Sequence, residues 1–102
     1  TIENGNFTNA NLSRANLGGA KLHKATLRGI IAKEGSFIKT DFTEADLSGA
    51  NLFGSILRKA VLVKADLRGA NCYGVEFYQA VLGETRFEGA NLNGSKLKGL
   101  QR

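Results

Sequence analysis

Sorted by position modulo five, this chain separates by chemistry from one end to the other, with no insertion or deletion. Of the 20 positions running in steps of five from Ile2 to Leu97, 18 are Leu, Phe or Ile, the exceptions being Ala32 and Cys72. Two residues before each of these central positions lies a second slot, from Gly5 to Leu100, which is Ala, Gly, Ser or Thr at 17 of 20 positions. Asn, Asp, Thr and Ser are common between the two slots, and nine of the 13 glycines fall two residues after a central position.

A period of five fits neither a continuous helix nor a continuous strand. On an α-helix each step of five advances about 140°, so the leucines would spiral around the cylinder instead of lining one stripe. On a strand five is odd, and successive leucines would alternate between faces. The chain must therefore turn once per five residues. If each turn begins at the central residue, glycine falls at its third position, where a type II turn needs positive φ. Four turns of about 90° close a square coil, and coils stacked at about 4.8 Å make a rod with the large and small slots both facing the axis.

The units ANLSR, ADLSG, ANLFG, ADLRG and ANLNG resemble the A(D/N)LXX signature of the pentapeptide-repeat family, and the resemblance covers essentially the whole chain. It implies an all-β fold, the right-handed quadrilateral β-helix. With 20 residues per coil, the 102 residues are expected to form about five coils of one domain, residues 1–102. Since the chain opens on Thr1 with no methionine, it reads as a processed protein or a piece of a longer one. Uncapped terminal coils would then meet further coils of the parent chain or abut in an end-to-end oligomer.

Positions 20 apart should stack, giving four faces whose central residues include Leu47 (first), Leu52 (second), Leu57 (third) and Leu62 (fourth). The stretch GIIAKEGSF, residues 29–37, departs furthest from the pattern, with Ala32 in the central slot and Ile30 in the small one. Its register survives, which excludes a linker. Either Ile30 in the small slot fills the space left by Ala32, a volume-conserving swap, or a local bulge turns Ile31 inward. Gly29, Gly49, Gly69 and Gly89 mark the turns of the first face and Gly54, Gly74 and Gly94 those of the second, whereas the other two faces mostly carry Lys24, Lys39, Glu44, Lys59, Lys64, Gln79 and Glu84 there. Such residues avoid positive φ, so a second, non-glycine turn type is expected there.

The net charge of +5 is concentrated on the third and fourth faces, where Lys39, Lys59, Lys64 and Lys98 outline a basic stripe. This is either ordinary solvated charge or a surface for nucleic acid or another anionic surface. Outward apolar residues gather in the middle coils: Phe53 and Tyr73 stack one coil apart, with Ile56, Arg58 and Tyr78 beside them. This belt is the candidate contact for a protein partner, unless it serves only as a cross-coil ladder.

Chemistry for catalysis is not apparent. One histidine and one cysteine cannot make a zinc cluster or a disulfide framework, and Cys72 belongs to the core pattern. No catalytic, cofactor-binding or metal-binding residue is assigned, and no cofactor is expected. No apolar run approaches the roughly 20 residues of a membrane span, and the first residues lack a secretory signal, so a soluble chain of open compartment is expected, cytoplasmic, or lumenal or periplasmic if processed. The leading reading is a non-catalytic scaffold that binds a protein. The family resemblance adds an alternative: some members mimic DNA and bind type II topoisomerases through an acidic surface and a dimer-forming helix. The basic charge and the ending KLKGLQR depart from that pattern. Other members come from cyanobacteria, and some act in the thylakoid lumen or in developmental signalling.

Overall fold

In the computed structural model, which describes residues 4–95, the chain winds into a stack of square coils. Parallel β-bridges join residues 20 apart without a break, from Asn6 with Thr26 to Asn71 with Asn91. Among the described residues these bridges are isolated pairs, and no extended strand forms. The straight segment between two turns is too short to carry more than one bridging residue.

One unit accounts for all of its backbone donors. Asp46 N–H donates to Ala25 of the preceding coil (3.0 Å), while Leu47 and Gly49 N–H donate to Asp66 (2.7 Å) and Arg68 (3.0 Å) of the following one. Ala50 N–H closes the turn on Leu47 at 3.1 Å. The fifth donor, Ser48 N–H, has no backbone acceptor and is taken by Asp46 Oδ1 at 3.0 Å. The same side-chain bond recurs at Asn6, Asn11, Asn16, Asp41, Asn51, Asp66, Asn71, Glu76 and Asn91, each accepting from the N–H two residues on. The Asn or Asp of the repeat is thus an acceptor that finishes the hydrogen bonding of its own turn.

The turns are of one kind on all four faces, which corrects the expectation of a second type. Every third turn position from Asn4 to Gly94 has positive φ, including Lys24, Lys39, Glu44, Lys59, Lys64, Gln79 and Glu84, at 52–61°. Closing the square requires that conformation at each corner, and from Asn4 to Gly74 the inter-coil bond made by the same residue helps hold it there, as Lys59 N–H does with the Tyr78 carbonyl at 2.8 Å. Propensity survives only as a filter on side-chain type: the non-glycine occupants are Asn, Arg, Lys, Glu and Gln, none of them β-branched. The turn at Leu82 alone lacks its closing bond among the described units; there the hydroxyl of Thr85 accepts from Gly83 N–H (3.2 Å) and donates to the Leu62 carbonyl (2.7 Å).

The central residues fill the axis, and Leu22, Leu27, Leu47, Leu52, Leu57, Leu62 and Leu67 are buried there with Phe37, Phe42 and Phe77. Phe37 leans on Phe42 with ring centroids 5.5 Å apart. Gly35 makes room for it, since a Cβ at that position would lie 3.0 Å from Phe37 Cε2. Ile30 and Ala32 are both buried, while Ile31 is 41% exposed and still bridges Asn11 and Asn51. Cys72 and Val75 make a similar pair, a small residue in the large slot and a larger one in the small slot. Bulk is therefore exchanged between slots without shifting the register.

Positive φ strains a lysine but not a glycine, by about 1 kcal/mol or more, against about 0.5–1 kcal/mol of extra unfolded-chain entropy for glycine. Lys59→Gly is therefore expected to leave stability unchanged or raise it slightly, whereas Lys59→Val, β-branched at that corner, lowers it by about 1–2 kcal/mol. Urea unfolding of the two variants beside the parent measures the difference.

Candidate interaction surface

Because the inside is fixed by the repeat, the outward columns carry whatever is individual to this rod. Phe53 and Tyr73 occupy equivalent positions in adjacent coils, and the 20-residue register stacks their rings with centroids 5.5 Å apart and planes 6° from parallel. Both are exposed, as are Tyr78, Val81 and Ile31. Ile56 is half-buried, whereas Arg58 is exposed on the third face. Arg58 Nε and Nη2 reach Glu76 Oε1 at 3.0 and 2.7 Å, and the other oxygen of Glu76 accepts from Tyr78 N–H at 2.8 Å. The pair therefore fixes the base of Tyr78 while leaving its ring in solvent.

Register also decides which arginine meets which carboxylate. Arg28 pairs with Asp46 of the next coil at 2.8 Å, the same 18-residue step as Arg58 with Glu76. At the equivalent position Arg68 faces Arg86 instead of an acid, and it folds back onto Asp66 at 2.7 Å. Arg14 pairs with Glu34 and Arg86 with Glu88, at 3.5 and 3.6 Å. Every described arginine is thus paired with an acid. Lys21, Lys24, Lys33, Lys39, Lys59 and Lys64 make no such contact among the described residues. Lys39, Lys59 and Lys64 are all exposed, the first two 20 positions apart in one column. Lys98 of the expected stripe, and Leu100 at the rod's end, lie outside the described residues.

A trough of about 590 Å³ runs along the second face. Asn51 and Asn71 form one side; Ser13, Lys33 and Phe53 form the other, and Arg14 and Glu34 stand at the corner. Asn71 Nδ2 approaches Asn51 Oδ1 at 3.4 Å, extending the amide column along the rod. The sequence marks the spot through Ile31 and Glu34, which interrupt the Asn and Gly columns on either side of Lys33. It does not disclose a concavity, because the depth comes from side-chain directions across four coils.

Among the described residues no group of His, Cys, Asp and Glu could hold a metal ion, and no helix is long and apolar enough to cross a membrane. The Cys72 thiol is pushed up to about 12 by burial. Three carboxyls lie below the usual range. For Asp41 the main cause is the Thr43 hydroxyl, and for Asp66 it is the Arg68 guanidinium. At Asp46 burial acts in the opposite direction, but is outweighed by the Ser48 hydroxyl, Arg28 and the Ser48 N–H together.

Pentapeptide repeats match the chain in eight copies, over residues 2–29, 22–58, 45–83 and 70–101. The chain belongs to the pentapeptide-repeat family. Its fold is the family's β-helix, which two solved structures share. A pentapeptide repeat protein from the Arabidopsis thaliana thylakoid lumen is 29% identical with a TM-score of 0.75, covering 99% of this chain and 67% of its own. The plasmid-mediated fluoroquinolone resistance protein QnrB1, trypsin-treated, is 22% identical with a TM-score of 0.70, covering 97% of this chain and 63% of its own. No curated protein matches by sequence. The chain thus spans about two thirds of each solved relative, and at 22% identity the second likeness concerns fold alone.

Two predictions follow from the buried thiol and the depressed carboxyls. Cys72 in the native rod should be inert to thiol reagents at neutral pH, and the labelling rate in increasing urea should track global unfolding. The ionised Asp46 is favoured in the folded state, so its stabilisation is complete above the unfolded value of 3.8 and is lost as pH falls through the lower folded value. Asp46→Asn keeps the acceptor for Ser48 N–H but cannot titrate. Its stability should fall less steeply than the parent's as acid is added below about pH 4.

Proposed function

We propose that this chain is a non-catalytic scaffold whose outward columns bind a protein partner. We take it to be a single domain wound as a right-handed rod of about five coils, working as a soluble protein. The observation that carries this reading is the exposed parallel stack of Phe53 on Tyr73, with Tyr78 60% exposed on the neighbouring face. Large rings held in register on a rigid frame lose little entropy on binding, which is what makes aromatic residues effective anchors. Ile56 and Arg58 complete the proposed contact. Tyr78 rises from a backbone N–H fixed by Glu76, and Glu76 is itself held by Arg58.

A second reading has its own support. Among the described residues the arginine charges are matched by acids whereas the lysine charges are not, which leaves unpaired positive charge on residues such as Lys39, Lys59 and Lys64. A nucleic acid or another anionic surface would meet that column. The positive net charge weighs against a DNA-mimic role, which needs an acidic surface.

The two readings separate in a capture experiment with the immobilised chain. Phe53→Ser with Tyr78→Ser should abolish retention of the protein partner, and Lys39→Glu with Lys59→Glu should leave it intact at physiological salt. The same captured proteins on the aromatic double variant would refute the scaffold reading. Loss only on the lysine variant, with steep salt dependence, would favour the anionic partner.

A further inference from the structure

We infer that the trough on the second face is a binding site for a small planar aromatic ring that carries an anionic group, such as a phosphate or a carboxylate. The site differs from the protein contact proposed above, although Phe53 borders both.

The ring position follows from the stack. Tyr73 covers one face of Phe53, and the trough contains Phe53 but not Tyr73, so the other face of Phe53 looks into it. Going one coil further along the column, the residue is Lys33, and the aromatic ladder stops. A flat ligand would take the place of the missing third ring. Offset stacking of that kind is favourable and tolerant of ring identity.

The anion position follows from the broken repeat. Where the rest of its own column supplies Asn11, Asn51, Asn71 and Asn91, Ile31 has no side-chain oxygen, so the backbone N–H of Lys33 lacks the acceptor that Asn51 Oδ1 gives Phe53 N–H at 3.2 Å. An unmatched N–H donor, the Lys33 ammonium and the Arg14 guanidinium therefore line one end of the trough. The Arg14 guanidinium is engaged only by Glu34, at 3.5 Å and with both side chains largely exposed. An anion with better geometry displaces such a contact easily. Along the opposite side Asn51 keeps an amide N–H₂ with no acceptor among the described residues, available to the edge of a ring. The trough volume of 590 Å³ falls in the range of small-molecule sites, about 300–1,000 Å³. It is open along its length, so the ligand keeps one edge in water and binds weakly, with a dissociation constant on the order of 1 mM.

The test is a titration of the isotope-labelled chain, followed by amide NMR, with adenosine monophosphate, indole acetate, adenosine and inorganic phosphate as separate probes. At least one of the two anionic aromatics should shift the Lys33 and Phe53 amides and the side-chain amides of Asn51 and Asn71. Which one binds tells phosphate from carboxylate. Adenosine and phosphate alone should bind several-fold more weakly. Phe53→Ala should weaken the response roughly tenfold, toward the lower end of what stacking on an aromatic contributes. Glu34→Gln removes the competing carboxylate and should tighten binding roughly threefold, a gain that a generally disturbed fold would not produce. Tyr78→Ser, which removes a proposed protein contact, should change nothing. Silence from both anionic aromatics, equal binding of phosphate alone, or unchanged affinity in both Phe53→Ala and Glu34→Gln would overturn the proposal.

Discussion

Everything in this rod depends on the pairing of each coil with the one 20 residues away. A pentapeptide such as Asp46–Ala50 has only its closing turn bond and one side-chain bond of its own, so its other backbone donors must find partners outside it. Three go to neighbouring coils and one to a side chain of the same unit, as in Asp46–Ala50. Because each coil is template and product at once, a slip of one residue would put leucine outside and Asn inside along every later coil. The same dependence explains why eleven non-glycine residues sit at positive φ. At corners such as Lys39 and Lys59 the local strain is set against the closing bond and the inter-coil bond of the same turn, and the bonds prevail.

That balance also marks where the sequence was readable. The period, the two slots and the outward aromatic column followed from side-chain size and polarity, which act at single positions. The turn type on the third and fourth faces did not follow, because the conformation of Lys39 or Glu44 is imposed by the adjacent coils and runs against local preference. The acceptor role of Asn and Asp lay hidden for a different reason. Composition shows that these residues are polar, but only the tally of backbone donors shows that one in five would be left unpaired without them. Ion pairing needs the register as well: the fold-back of Arg68 onto Asp66 depends on finding Arg86 where an acid would be needed.

A fixed interior leaves the exterior free, and that separates fold from function in this family. The same square coil underlies a lumenal plant protein and a plasmid-borne resistance protein. What a given rod recognises must then lie in its columns, and here the columns are specific. Each described arginine is paired with a carboxylate, and its fork can be held bidentately, as Asp66 holds Arg68. Lysine, a point charge on a flexible stem, stays in solvent.

The interior and exterior meet at one place, residues 29–37. Ile30 thickens the small slot where the central slot is thinned to Ala32. The closing bonds of three consecutive turns lengthen there, to 3.3 Å at Ile30 and 3.2 Å at Gly35 and Thr40. Elsewhere, apart from the open turn at Leu82, the described turns close at 2.9–3.1 Å. Outside, the same unit gives up its Asn acceptor and its turn glycine, and its Lys33 and Glu34 border the trough beside Phe53. A substitution made to keep the core full would need no change at Lys33 or Glu34, because neither touches the axis. Their coincidence with Ile31 on one side of one coil is what the core alone does not explain, and it places the individuality of this rod on its second face.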